Sequence, residues 1–323
     1  MQNIKNITVI GCGRWGTFIA SHLTNTGFVV TLYGRESSKN MHELLITRQN
    51  AFMRLPDLLQ LSTDLKSSLA NCDVLIISIA SQQLRALCSE LRAAGFTRGT
   101  AVLCMKGLEI STGKRLSTIV NEELGDEVKT AVWLGPGHVQ DFCRGIPNCM
   151  VIDSAHENTK RLLAEAFSGK LIRFYYGQDM IGNEIGAAAK NVIGIAAGLL
   201  DGMGLSPLKG ALMSRGTREI ARLIAALGGN EQSAWGLCHL GDYEATVFSH
   251  HSHNRAFGEA FAKGQDFNDL AEGYYTVRAL NTLAQKYNVE LPICHTVEAV
   301  LYHGAPVRDA LFSLFERSIK NEF

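Results

Sequence analysis

The segment Gly11-Cys-Gly-Arg-Trp-Gly16 constrains the fold of this chain more than any other. It follows a short β-rich run, Ile7–Ile10, and leads into an amphipathic helical run, Trp15–Thr26. Three glycines at this spacing between a strand and a helix have separate uses. The first makes a tight turn, and the second lets the backbone approach a pyrophosphate. The third lets the helix pack closely, with its N-terminal N–H groups facing the anion. Gly11, Gly13 and Gly16 are therefore candidate cofactor-binding residues, and the segment predicts the opening βαβ unit of a dinucleotide-binding fold.

The rest of the first half continues that pattern. Further strands are predicted at Val29–Tyr33, Val74–Ile79, Ala101–Met105, Ala131–Leu134, Cys149–Ile152 and Ile172–Tyr175. Several are apolar almost throughout, as parallel strands covered on both faces should be. Helical patterns separate many of them, including Gln82–Ala94, Gly113–Leu124 and Glu157–Phe167. The alternation implies an α/β chain with an N-terminal Rossmann-type doubly wound sheet. After about residue 178 the strand pattern stops. Helices are predicted from Glu184–Leu200 onward, among them Leu208–Leu227, Glu231–Leu237, Arg255–Lys263, Asp266–Leu270, Thr276–Tyr287, Ile293–Tyr302 and Val307–Ser318. The expected organisation is a dinucleotide-binding domain over 1–177 and an all-α substrate and catalytic domain over 178–323.

Composition narrows the function classes. Lys plus Arg and Asp plus Glu both number 31 in 323 residues, and no basic run stands out. A nucleic-acid or membrane-surface partner is not expected. The eight cysteines, among them Cys12, Cys104 and Cys238, form no C-x-x-C pair, so neither a zinc site nor a dithiol motif is indicated. His250, His251 and His253 fit no common metal spacing, and no metal is expected. No signal peptide is visible. The most apolar stretch, Ile185–Leu200, contains Lys190 and Asn191 and is shorter than the ~20 residues a bilayer requires. It reads as a buried helix, not a membrane span, in a soluble, cytoplasmic protein.

Four polar features fall where chemistry should be. The second strand ends in Tyr33-Gly34-Arg35-Glu36. A guanidinium there can pair with a ribose 2′-phosphate, so Arg35 favours NADPH, while Glu36 leaves NADH open. Lys106 follows a strand at its C-terminal edge, where open α/β sheets bind ligands. Lys190 lies on an apolar helix and must be paired, deprotonated or cleft-facing. Gly241-Asp242, Thr246 and Ser252-His-Asn-Arg255 form a polar stretch between helices.

At these residues the chain resembles the NAD(P)-dependent sn-glycerol-3-phosphate dehydrogenases. The matching segments are GCGRWGT at 11–17, NAFMRLP at 50–56, KGLE at 106–109, GP at 135–136, EIGAAAKNVIGIAAGLLDGMG at 184–204, RG at 215–216, LGD at 240–242, HNR at 253–255 and EG at 272–273. Related β-hydroxyacid dehydrogenases space a lysine and an asparagine about one turn apart; here Lys190 and Asn191 are adjacent. The resemblance implies reversible NADPH- or NADH-dependent reduction of dihydroxyacetone phosphate to sn-glycerol 3-phosphate, supplying phospholipid synthesis, in a homodimer. It implies Lys190 as general acid/base and Asp242 as its partner. It implies substrate contacts from Lys106, Gly135, Asn191, Thr246, Ser252, His253 and Asn254. It implies cofactor contacts from Trp15, Arg35, Lys106 and Glu272 besides the glycines.

Three substrate-side positions depart from the family pattern. Histidine occupies position 253, where the family has a phosphate-contacting arginine. Gly137 stands where a serine, threonine or asparagine is usual, and Gly204–Lys209 lacks the family's asparagine. Arg255 is the nearest replacement cation. Two alternatives remain open at this stage: a divergent paralogue reducing another small phosphorylated ketone, and a non-catalytic NAD(P)-binding protein.

Overall fold

A computed structural model describes residues 4–319 and 321–322. The chain divides into two units, Met1–Met105 with Arg115–Met180, and Lys106–Lys114 with Ile181–Phe323. The segment Lys106–Lys114, which a contiguous reading assigns to the first domain, counts with the second unit.

In the first unit, apolar runs become strands because both their faces are covered. Val74–Ile77 is buried at all four positions. The strands, with the helices that link them, are β1 (Asn6–Ile10), α1 (Arg14–Asn25), β2 (Val29–Tyr33), α2 (Lys39–Thr47), β3 (Gln60–Ser62), α3 (Leu65–Leu69), β4 (Val74–Ile77), α4 (Leu84–Ala93), β5 (Gly99–Leu103), α5 (Leu116–Leu124), β6 (Val128–Leu134), α6 (Val139–Cys143), β7 (Asn148–Ser154), α7 (Glu157–Phe167) and β8 (Ile172–Tyr176). They form one sheet in the order β3-β2-β1-β4-β5-β6-β7-β8. All neighbouring pairs are parallel except β6 and β7, where the chain doubles back through α6. The order reverses at β1, and at such a point ligands bind beyond the carboxyl ends of the strands. A core of Ile19, Leu32, Ile76, Val102 and Trp133 holds the helices on the sheet.

The second unit is built around α8 (Met180–Gly202), buried without interruption from Gly182 to Leu200. A helix this largely apolar and buried on every side is stable only at the centre of a bundle or in a bilayer. Among the described residues α8 is the one helix long and apolar enough to cross a membrane, and most of that stretch is buried inside the protein. The other helices are α9 (Lys209–Ala226), α10 (His253–Ala262), α11 (Glu272–Tyr287), α12 (Pro292–His303) and α13 (Val307–Ser313). α8 and α10 approach backbone to backbone: a Cβ on Gly198 would lie 2.0 Å from the Arg255 carbonyl oxygen. Glu219 of α9 starts α12 by accepting the N–H groups of Ile293 and Cys294, at 2.8 and 3.0 Å. Burial pushes its carboxyl up to about 7.

Several elements differ from expectation. Asp266–Leu270 is irregular, because five residues cannot nucleate a helix without packing and Leu270 stays exposed. The run from Glu231 is a 3₁₀ turn ending at Trp235, and the last helix stops at Ser313. β3, α2 and α3 carry too little apolar periodicity to be read from the sequence.

Candidate active site

The glycine loop shapes a surface from backbone alone. Gly11 has φ +111°, and a Cβ there would lie 2.1 Å from the Ser78 carbonyl oxygen. Its N–H donates to Tyr33 O at 3.0 Å, tying the loop across the ends of β1 and β2. Gly13 is the N-cap of α1, and no side chain caps it. Space beyond Gly13 is open: apart from its chain neighbours, no heavy atom of the described residues lies within 4 Å of a Cβ there. A helix N-terminus that no N-cap side chain covers, with room for an oxygen-rich group, suits a pyrophosphate. Trp15 is half-buried against Phe18 and Phe142, with ring centroids at 5.4 and 5.9 Å. Arg35, just past β2, reaches Glu90 at 2.9 Å, with both side chains exposed. Gly135, just past β6, has φ +129°. At Gly137, also left-handed, a Cβ would lie 2.5 Å from the Phe142 ring. Phe142 thus crowds out a side chain at 137 unless its ring moves.

The second unit makes its site from buried charge. Lys190 and Asp242 are 10% and 1% exposed in their side chains, and Lys190 Nζ lies 3.0 Å from Asp242 Oδ2. Lys106 Nζ donates to the same Oδ2 at 2.6 Å. Lys190 Nζ also donates to Thr246 Oγ1 at 2.7 Å, and that hydroxyl donates to Asp242 O at 2.7 Å. Thr246 lies in a π turn, Glu244–Phe248, which follows the 3₁₀ turn Leu240–Asp242. Two ammonium groups share one carboxylate oxygen, so the cluster carries a net positive charge. Burial is the largest influence on Lys190 and lowers its pKa to about 8. Asp242 opposes this, and Lys106 adds to it. The amine can therefore give and take a proton near neutral pH.

Asn191 points elsewhere, because successive residues on a helix are about 100° apart. Its amide donates to Lys106 O at 2.8 Å, holding that lysine's backbone. Asn254 Oδ1 accepts from Gly273 N at 2.9 Å, beside Glu272 at the start of α11. That leaves the Asn254 amide nitrogen as the donor. His253 is the first residue of α10, half-buried, with its ring edge to Phe267 at 6.4 Å. Ser252 caps α10, accepting from Arg255 N at 3.3 Å. Arg255 is buried and bonded to Asp201 at 2.6 Å and Glu259 at 3.0 Å. Its fork is committed within the fold and does not replace an arginine at 253.

A cavity of about 790 Å³ also opens in the second unit, lined by Leu208, Leu212, Arg215, Ile293 and Leu311 among others. None of Lys106, Lys190 or Asp242 lines it, so it is not the chemical centre. The sequence reading missed His239 and Tyr243, which are fully buried and hydrogen-bonded on either side of Asp242.

Known proteins resemble this chain over nearly its whole length. Residues 6–160 match the N-terminal domain, and residues 179–312 the C-terminal domain, described for NAD-dependent glycerol-3-phosphate dehydrogenase. A glycerol-3-phosphate dehydrogenase [NAD(P)+] of Prosthecochloris aestuarii is 35% identical, over 98% of this chain and 99% of its own. The protein of that name from a Thermoanaerobacter species is 33% identical, over 98% of each. A crystal structure of glycerol-3-phosphate dehydrogenase from Coxiella burnetii superposes with a TM-score of 0.91 at 29% identity, covering 97% of this chain and 99% of its own.

Proposed function

Because the chain belongs to the NAD-dependent glycerol-3-phosphate dehydrogenase family, and so interconverts dihydroxyacetone phosphate and sn-glycerol 3-phosphate with NADH or NADPH, we propose that Lys190 is the general acid/base of that reaction. The observation that carries this is the buried amine itself, lowered to about 8 and held by Asp242 and Thr246. The bound nicotinamide supplies the hydride. As the ketone oxygen gains negative charge, Lys190 Nζ gives it a proton; in the reverse direction the neutral amine takes the hydroxyl proton. Asp242 keeps the ammonium formed in that direction in place. Lys106, the second cation, contacts the substrate and cofactor and holds down the charge on Lys190. Thr246 orients the amine, and Asn191 fixes Lys106.

The phosphate of the substrate is met by His253 and the Asn254 amide. Histidine offers one or two donors in place of a bidentate fork, so phosphate affinity is weaker than an arginine would give. Gly11, Gly13 and Gly16 hold the pyrophosphate, Trp15 and Glu272 flank the cofactor, and Arg35 favours NADPH. The wider reading is a soluble, cytoplasmic homodimer supplying glycerol phosphate for phospholipid synthesis. Size-exclusion chromatography with light scattering tests the dimer.

The direct test is NADPH oxidation by the purified protein on addition of dihydroxyacetone phosphate. Turnover in the native protein, lowered about 10³-fold in Lys190→Ala with cofactor still bound, is the expected result. A fully active Lys190→Ala protein would remove the acid/base assignment.

A further inference from the structure

Lys190 belongs to α8 and Asp242 to a 3₁₀ turn, so their 3.0 Å contact depends on what holds the turn to the helix. His239 leads into that turn and is completely buried. Its Nδ1 lies 2.8 Å from Gly186 O, and its Nε2 lies 2.7 Å from the Tyr243 hydroxyl. A carbonyl can only accept, so Nδ1 carries the proton and Nε2 accepts from the Tyr243 O–H. Burial lowers the ring's pKa to about 4, which keeps this neutral tautomer in place. The charged and titratable groups facing the ring are Asp242, Lys190 and Tyr243.

Gly186 is one helical turn before Lys190. In the α-helical ladder its carbonyl is the acceptor for the Lys190 N–H. His239 therefore bonds to the oxygen that defines the turn bearing Lys190. The approach is tight: a Cβ at 186 would lie 3.0 Å from the His239 Cβ. Asp242 is thus bracketed by His239 three residues before it and Tyr243 directly after it, and the two are joined by one hydrogen bond.

We propose that His239, acting with Tyr243, is a positioning residue that locks the turn carrying Asp242 onto the helical turn carrying Lys190. The proposal rests on the reading of Lys190 as the acid/base. It goes further by assigning the geometry of the Lys190–Asp242 pair to a neutral imidazole that touches no ligand. A ring that merely filled the core would affect stability without moving the ionisation of Lys190.

The experiment compares His239→Ala, His239→Asn, Tyr243→Phe and Lys190→Ala in kcat, KM and pH profile for dihydroxyacetone phosphate reduction. With Asp242 released, the ammonium loses its support, so the high-pH limb of kcat should move down by about one unit. Misplacing the pair should lower kcat by about 30-fold in His239→Ala, with the KM for cofactor within about twofold. His239→Asn keeps a donor for Gly186 O and should recover most of kcat and the limb. If His239→Ala does not fold, Tyr243→Phe deletes one hydroxyl and should lower kcat about threefold, moving the limb the same way. An unmoved limb in whichever of these two variants folds overturns the proposal, as does a loss that His239→Asn fails to restore. An active Lys190→Ala would instead bring down the underlying reading. An inactive Lys190→Ala beside a normal His239→Ala removes only the positioning role.

Discussion

The glycine loop of the first unit and the lysine cluster of the second are built from opposite materials. The loop uses backbone N–H groups at the start of α1 and keeps side chains out of the way. The cluster uses two ammonium groups on one buried carboxylate oxygen. Backbone donors cost nothing to desolvate beyond what the helix already leaves unsatisfied. Buried ion pairs are held only by good geometry, and removing one member costs about 3–5 kcal/mol. The first site should therefore tolerate loss of charge and fail on added bulk, and the second should do the reverse.

The largest effect separates the two sites. Lys190→Ala should lower kcat by about 10³-fold, within the range for general acid–base groups, while a fluorescence titration finds NADPH affinity unchanged. The complementary change is Gly13→Val. The protein around a Cβ at 13 is open, so thermal stability should hold, while NADPH binding weakens by about 10- to 100-fold, or roughly 1.4–2.7 kcal/mol. A Gly13→Val protein that binds cofactor normally would break the comparison, because the open space would then not be where the pyrophosphate goes.

The two regions also differed in how far the sequence exposed them. Gly11, Gly13 and Gly16 are close neighbours in the chain, and their context between β1 and α1 is local, so pattern alone marks them. The cluster joins Lys106 to Asp242 across 136 residues and Lys190 to Thr246 across 56. No periodicity links such segments, and only the family resemblance brought them together. His239 and Tyr243 carried no signal of their own. Two substrate-side readings also needed the fold. Gly137 reads as a lost hydrogen-bonding residue until Phe142 is seen to crowd a side chain there. Arg255 reads as a spare cation until its bonds to Asp201 and Glu259 are seen.

The pH dependence sharpens the buried half of the comparison. Ketone reduction needs the protonated amine, so kcat should fall as pH rises through about 8; alcohol oxidation should rise through the same range. Asp242 holds the lysine's pKa up against burial. In Asp242→Asn the limb for reduction should move to lower pH, with kcat already reduced. A limb that stays in place would mean that a group other than Lys190 titrates there. A smaller effect is expected at the phosphate. His253→Arg should lower the KM for dihydroxyacetone phosphate by about tenfold, the equivalent of about 1.4 kcal/mol from a charge-assisted fork. A raised KM would assign His253 to a different contact.

The smallest effect concerns the one charged side chain proposed for the cofactor half. Arg35 and Glu90 are 49% and 42% exposed, and their 2.9 Å contact is a surface ion pair. Such pairs contribute about 0–1 kcal/mol, so a 2′-phosphate with two negative charges can displace Glu90 at little cost. Arg35→Ala should raise the KM for NADPH about fivefold and leave the KM for NADH within about twofold, since both cofactors share the pyrophosphate seat on the backbone. Glu90→Gln frees the guanidinium and should favour NADPH by about twofold. If Arg35→Ala weakens both cofactors equally, the arginine contacts a part they share, and preference between them is set elsewhere. If it weakens neither, no charged side chain of the first unit serves the cofactor, and the contrast with the buried lysines is complete.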